Sequence, residues 1–235
     1  MQQNKISILS TRPINEQLIK NAAKRNITID IHSFIKTEAI DDIEVYNEIE
    51  TTSTQTATIV FTSMNAVNAV AARLHAYKPE WKIYCTGNTT KKLVSEYFGD
   101  DLIAGTAKDA IELAEKIIDA GVADEVTFFC GDKRRNELPD LLSQHNIKVN
   151  EIEVYTTTIL PHTIEKDYDG ILFFSPSAVE GFFKTNTVNT KTILFAIGDT
   201  TADALKKFSS NKITVSDKPD KENLIEKVIN YFNTN

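Results

Sequence analysis

Hydroxyl side chains, accompanied by an Asn or Asp, a glycine or a proline, gather in four short stretches of the chain. They are "FTSMN" (61–65), "TGNTT" (86–90), "FSPS" (174–177) and "IGDTT" (197–201). Each follows an apolar run and precedes a segment with helical periodicity. A helix start leaves several backbone N–H groups unpaired and carries partial positive charge, so such turns suit a carboxylate or phosphate. The same residues are also ordinary N-caps, whose side-chain oxygen accepts a first-turn N–H and contributes about 1 kcal/mol. For any one serine or threonine both roles stand; the recurrence of the set favours ligand contact for the group.

Stronger chemistries lack their residues. There is no GxGxxG or GxxxxGK[ST] for a nucleotide, no GxSxG nucleophile elbow, and only 8 glycines in 235 residues. The 4 histidines show neither HxxxH nor HExxH spacing, so no metal site is expected. Cys85 and Cys130 end the apolar runs "KIYC" and "VTFFC" and read as buried, reduced thiols. A net charge of -7 argues against nucleic acid as a partner, although local donors can still hold a small anion. No apolar run has the roughly 20 residues of a membrane span. The start, "MQQNKISILSTRP", lacks a signal-peptide core, so a cytoplasmic location is expected.

The elements that would position these turns are short strands alternating with helices. "KISILST", "ITIDIHSFI", "ATIVFTS", "KIYCTG", "DLIAG", "EVTFFCG", "KVNEIEVYTT", "GILFFSP", "TILFAIG" and "KITVSD" read as strands. The helix over "DAIELAEKIIDAG" has a stripe of Ile111, Ala114, Ile117 and Ile118, with Gly121 as its stop. The last helix presents Leu224, Ile225, Val228, Ile229 and Phe232. Segment 36–56 is acidic and weakly periodic, and reads as a connector. Continuous apolar strands between helices imply an α/β fold, with parallel sheets covered on both faces.

The motifs recur in order. "IVFTSMNAV" (59–67) is echoed by "ILFFSPSAV" (171–179), and "CTGNTT" (85–90) by "AIGDTT" (196–201). "LSTRPINEQL" (9–18) is matched more faintly by "CGDKRRNELP" (130–139). Two related α/β domains explain this recurrence. The order permits a simple cut near residue 122, or a crossed pairing in which the first unit joins the last two and the chain passes twice between domains.

At these residues the chain resembles the uroporphyrinogen-III synthase family. "LSTRP", "IVFTSMNAV", "CTGNTT", "FFCGDKRR", "EIEVYTTT", "FFSPSAVEGF" and "AIGDTTADAL" carry the resemblance over nearly the whole chain. It implies two flavodoxin-like parallel-sheet domains joined by a two-stranded connector, with the active site in the cleft between them. It selects the crossed pairing: 1–35 with 159–235 as the first domain, 52–150 as the second, and 36–51 and 151–158 as connectors.

The implied reaction cyclises hydroxymethylbilane to uroporphyrinogen III with loss of water and inversion of ring D. It needs no cofactor and no partner beyond that small-molecule substrate, and a monomer is expected. By the resemblance, Tyr155 helps the hydroxyl leave, and Arg12, Ser63, Thr90, Ser175, Ser177, Thr200 and Thr201 contact substrate. Where relatives show Pro and a basic residue, this chain has "SMN"; Lys133, Arg134 and Arg135 could supply charge instead. The competing reading is a non-catalytic two-domain binder of an anionic small molecule, using the same turns.

Overall fold

The computed structural model describes residues 5–75, 77–121 and 124–234. The first half of the chain contains β1 (Ile6–Ser10), α1 (Glu16–Ala23), β2 (Ile27–Ile31), β3 (Ile35–Ala39), α2 (Ile43–Ser53), β4 (Ala57–Phe61), α3 (Met64–Leu74), β5 (Trp81–Thr86) and α4 (Asn88–Phe98). Then come β6 (Ile103–Ala107), α5 (Ala110–Ala120), β7 (Glu125–Gly131), α6 (Glu137–Gln144) and β8 (Lys148–Ile159). The chain ends with β9 (Gly170–Phe173), α7 (Pro176–Phe183), β10 (Ile193–Ala196), α8 (Asp199–Lys206), β11 (Ile213–Val215) and α9 (Lys221–Thr234).

The chain divides into two compact units. Unit 1 is Met1–Lys36 with Thr158–Asn235, and unit 2 is Thr37–Thr157. Unit 1 holds a five-stranded sheet in the order β11-β10-β9-β1-β2, with every neighbouring pair parallel. The six-stranded sheet runs β3-β8-β7-β4-β5-β6, and β8 to β6 are parallel neighbours. The class is α/β with two parallel sheets.

The two sheets are one pattern entered at different points. Aligning the repeated motifs sets β7 against β1, β4 against β9 and β5 against β10. On that alignment β8-β7-β4-β5-β6 has the spatial order of β2-β1-β9-β10-β11. Registers agree: Phe61 pairs with Cys85 in one sheet, and Phe173 with Ala196 in the other. Unit 2 therefore completes its sheet from a later start, while unit 1 closes only after the chain returns.

The outward and return passages run through β3 and β8, which are neighbours. The Leu160 N–H donates to the Phe34 carbonyl (2.8 Å) and that of Ile40 to Val154 (3.0 Å). One number rises as the other falls, the pattern of an antiparallel pair. At 12 residues β8 is long enough to serve both as the last parallel strand of unit 2 and as this partner of β3.

Strand alternation supplies four cores. Ile59 and Phe61 enter one face of the unit 2 sheet and Val60 the other; Ile83 and Cys85 oppose Tyr84 in the same way. In unit 1, Ile171 and Phe173 oppose Leu172 and Phe174. Apolar runs that read as unbroken thus cover both sheet faces. In α5, Leu113, Ala114 and Ile117 are buried and Ile118 partly so, whereas Ile111 is 50% exposed. The true stripe is turned toward Leu113, leaving Ile111 on its flank. α9 buries Leu224, Ile225 and Val228, with Ile229 and Phe232 partly buried beside them.

Two local readings change. Within "ITIDIHSFI" strand β2 ends at Ile31 and β3 begins only at Ile35, running on into segment 36–56, where a helix, α2, takes a further 11 residues. Helix α2 is fixed by its surroundings: Asp42 caps its first turn, Ile49 is buried, and the Trp81 indole N–H donates to the Thr52 carbonyl (3.0 Å). Among the described residues, no helix is long and apolar enough to cross a membrane.

Cys85 and Cys130 are 0% and 2% exposed, and burial pushes their thiols up to about 11 and about 12. Unfolded thiols titrate near about 8.5, so the folded state holds these protons more tightly. The associated stability is full below that pH and is lost as pH rises through the folded values. Thermal melts should hold steady to about pH 8 and decline above about pH 9. Native thiols should stay silent to a thiol reagent until the chain unfolds; rapid labelling of the native protein would contradict this burial.

Candidate functional site

In the unit 2 sheet, β4 and β7 lie side by side while the chain continues outward from each in opposite directions. Ligand sites of open parallel sheets form at such switch points, beyond the carboxyl ends of the strands. Ser63 lies just beyond β4, Gly131 ends β7 with Asp132 next to it in the chain, and Tyr155 lies on β8, the next strand out.

Tyr155 reaches the switch point because β8 carries one extra residue. Cys130 pairs with Glu153 but Gly131 pairs with Tyr155, leaving Val154 as a bulge. Bulges bend a strand and re-aim its side chains. Ile152 and Val154 enter one core cluster, and Tyr155 packs against that same cluster although strict alternation would turn it away. The corresponding β1–β2 ladder in unit 1 runs without a shift and places Ile31 opposite Ser10. The tyrosine is therefore a feature of one repeat alone.

The phenol ring lies across the end of β7. A Cβ on Gly131 would overlap ring atoms Cζ and Cε2 and lie 2.8 Å from Cε1, so glycine leaves room for the ring. The Tyr155 hydroxyl donates to Ser63 Oγ at 3.1 Å, and the Asn65 side chain also bonds the phenol. Burial raises the Tyr155 pKa above the ordinary phenol value; the bonds from Ser63 and Asn65 oppose this, and the negative charge of Asp132 adds to it. Tyr155 is thus a neutral donor at pH 7, able to offer a proton or hydrogen bond to an oxygen beside it.

The Asp132 N–H donates to the Tyr155 carbonyl (3.2 Å), and Asp132 Oδ1 accepts the Thr157 N–H (2.8 Å). One residue thereby holds the β8 backbone on both sides of Thr156. The "CGDKRR" motif stands out in the sequence for its cations, whereas its Gly-Asp pair is what meets Tyr155. Of those cations, Arg134 pairs with Glu151 and bonds Asn136, and Arg135 pairs with Glu137.

The four hydroxyl turns separate into two kinds. Ser63 Oγ accepts the Asn65 N–H (3.1 Å) and Ser175 Oγ accepts the Ala178 N–H (3.2 Å), so both serines are caps. Ser63 spans both roles, since its oxygen also receives the Tyr155 hydroxyl. At the other two turns the N-cap positions are Gly87 and Gly198, which bring no side-chain acceptor. Thr90 (7% exposed) and Thr201 (2%) lie in the first turns behind them; their hydroxyls make no hydrogen bond among the described residues. Thr200 is exposed and Ser177 half-buried.

In unit 1 the switch point lies between β1 and β9. Thr11 Oγ1 donates to the Leu172 carbonyl (2.7 Å) and Ser10 Oγ to that of Arg12 (2.6 Å), fixing the turn that carries Arg12. Burial lowers the Arg12 pKa from the ordinary arginine value. The Lys221 ammonium donates to the Pro13 carbonyl (3.1 Å), and the positive charge of Arg12 contributes to lowering its pKa after burial. No motif pointed to Lys221, which only the fold brings to this turn.

A cavity of about 650 Å³ lies at the opposite, amino-terminal end of the unit 2 strands, beside Thr51, Thr58, Lys82, Thr127 and Asn150. None of the candidate site residues lines it. Among the described residues, no cluster of three His, Cys, Asp or Glu side chains is placed to hold a metal.

Comparison with known proteins bears on this arrangement. A family model described as uroporphyrinogen-III synthase HemD matches residues 16–226. A uroporphyrinogen III synthase variant from the extremely thermophilic bacterium Thermus thermophilus superposes with a TM-score of 0.69 at 14% identity, covering 97% of this chain and 98% of that one. A uroporphyrinogen-III synthetase from Helicobacter pylori gives 0.62 at 17% identity, covering 96% and 99%. A search among curated protein sequences returned no match.

Gly131→Ala should displace the phenol while sparing the fold, because Gly131 does not occupy the left-handed region. The added methyl should cost about 1–3 kcal/mol, as overpacking does. Tyrosine absorbance titration, with Tyr155→Phe as reference, should show the Tyr155 ionisation moving down toward an ordinary phenol. An unmoved titration would mean that the ring does not depend on this gap.

Proposed function

We propose that this chain, which belongs to the uroporphyrinogen-III synthase HemD family, cyclises hydroxymethylbilane to uroporphyrinogen III. The observation that carries the reading is the Tyr155 phenol: half-buried, neutral, and held on Ser63 at a switch point by a bulge that its sister repeat lacks. Family membership supplies the substrate; the site supplies a donor of the right kind.

The reaction begins when the ring A hydroxymethyl group loses its hydroxyl. The C–O bond breaks, the departing hydroxyl takes the Tyr155 proton and leaves as water, and the phenolate regains a proton when the free α-carbon of ring D loses its hydrogen on recombination. The pyrrole nitrogen lone pair replaces the lost electrons and forms an azafulvene. The substituted carbon of ring D attacks it, giving a spiro intermediate. Fragmentation and recombination then attach ring D in the inverted sense. The free substrate closes unaided to the type I isomer, so the protein's task is control of geometry more than supply of a powerful catalytic group.

The substrate carries acetate and propionate groups, whose charged oxygens make the stronger kind of hydrogen bond. In unit 2 the first-turn amides behind Gly87, with Thr90, offer donors, and in unit 1 those behind Gly198, with Thr200 and Thr201, do the same. Arg12 adds a charge, and Ser63, Ser175 and Ser177 add hydroxyls.

The decisive test is to supply hydroxymethylbilane, oxidise the products and separate isomers I and III. Excess type III over an enzyme-free control is expected; a product ratio equal to the control would overturn the proposal. Tyr155→Phe should keep its melting temperature and lower kcat by roughly 10²-fold or more, the usual contribution of a positioned general acid. An unchanged kcat would remove Tyr155 from the reaction.

A further inference from the structure

We propose that Asp132 is the positioning residue of Tyr155: its backbone and carboxylate bracket the bulged end of β8, so that the phenol stays on Ser63 while substrate reacts. The inference rests on the role given to Tyr155 above and assigns a function to the aspartate of the "CGDKRR" motif.

The geometry makes the case. Beyond the bulge, β8 has run past the end of β7, which stops at Gly131. The β8 backbone from Tyr155 onward would therefore lack a partner on that side. Asp132 provides one. Its N–H extends the ladder by one bond, to the Tyr155 carbonyl (3.2 Å). Its side chain then stands in for the next backbone carbonyl, with Oδ1 accepting the Thr157 N–H (2.8 Å).

The two bonds fall two residues apart on β8, where a continuing strand would have placed its own. A bond to a carboxylate is also stronger than one to a neutral carbonyl. Tyr155 is attached to this clamped backbone at Cα, with its ring lying over Gly131 and its hydroxyl on Ser63. The phenol is thus held at base, middle and tip by Asp132, Gly131 and Ser63.

Charge adds a second consequence. Tyr155 faces a carboxylate in a partly buried place, where ionising the phenol would set two negative charges side by side. Asp132 therefore helps to keep the donor protonated.

Asparagine at 132 keeps an oxygen able to accept the Thr157 N–H but carries no charge; alanine removes both. In Asp132→Asn, kcat should stay within about threefold of the parent. In Asp132→Ala, kcat should fall on the order of 10-fold or more with little change in KM, as when a reacting group is slightly misplaced. Amide exchange at Thr157 should stay slow in the parent and the asparagine variant and become fast in the alanine variant. The Tyr155 titration should move to lower pH in both.

Equal kcat in all three proteins, an asparagine variant as slow as alanine, or Thr157 exchange indifferent to the substitutions would each overturn the assignment. If the parent forms no excess isomer III, the function proposed above fails. Thr157 exchange and the Tyr155 titration, which need no substrate, still decide whether Asp132 holds the tyrosine.

Discussion

Parallel strands cannot be joined by a tight turn; each pair needs a crossover, and a crossover long enough to return is usually a helix. This constraint orders the whole molecule. Every strand-to-helix turn within a sheet falls at the carboxyl end of its strand, so the four hydroxyl-rich stretches gather at those ends although they lie far apart in sequence. Helices then cover both faces, which explains why Val60 and Leu172 are as buried as their neighbours Phe61 and Phe173. The same constraint governs the two passages of the chain. Unit 1 takes two strands, leaves, and takes its remaining three after unit 2 is complete.

Within that frame a single extra residue distinguishes unit 2 from unit 1. The two sheets share their order and much of their register, and their β4 and β9 turns share a serine cap. The bulge at Val154 breaks the equivalence by turning Tyr155 onto the face that Val154 already occupies. Room for the ring comes from the absence of a side chain at Gly131. Symmetry accounts for a general surface of helix starts, and its local failure accounts for a particular donor. One repeat stays regular while the other gains a positioned phenol.

The turns resolve a question that residue types left open. Ser63 and Ser175 hold their own helix starts, so their presence at the carboxyl edge has a structural cause. The turns of Gly87 and Gly198 have no such side chain, and the threonines behind them are not caps. Cap chemistry thus concentrates at one pair of turns and leaves donors at the other. The acidic balance of the chain is compatible with this, since both arginines after the Gly-Asp pair that meets Tyr155 are engaged: Arg134 by Glu151 and Arg135 by Glu137.

The sequence by itself determined the class of fold and the repeat. Strand and helix periods are local properties, and a motif that recurs in order is visible without coordinates; hydroxyls and glycines at strand ends follow from the same local rules. The details that escape it are those that depend on neighbours. Helix α2 is hidden in the sequence because Trp81 and its own cap, more than its periodicity, hold it in place. Ile111 joins the apolar stripe of α5 on paper because a stripe drawn on one helix cannot tell which flank the sheet covers. Tyr155 is legible through resemblance alone; its contact with Ser63, the gap at Gly131 and the brace from Asp132 are not. Those depend on the pairing register of two strands, and a bulge is a difference between strands that neither carries alone. Only the tertiary structure could decide it, because hydrogen-bond register is settled when the sheet forms.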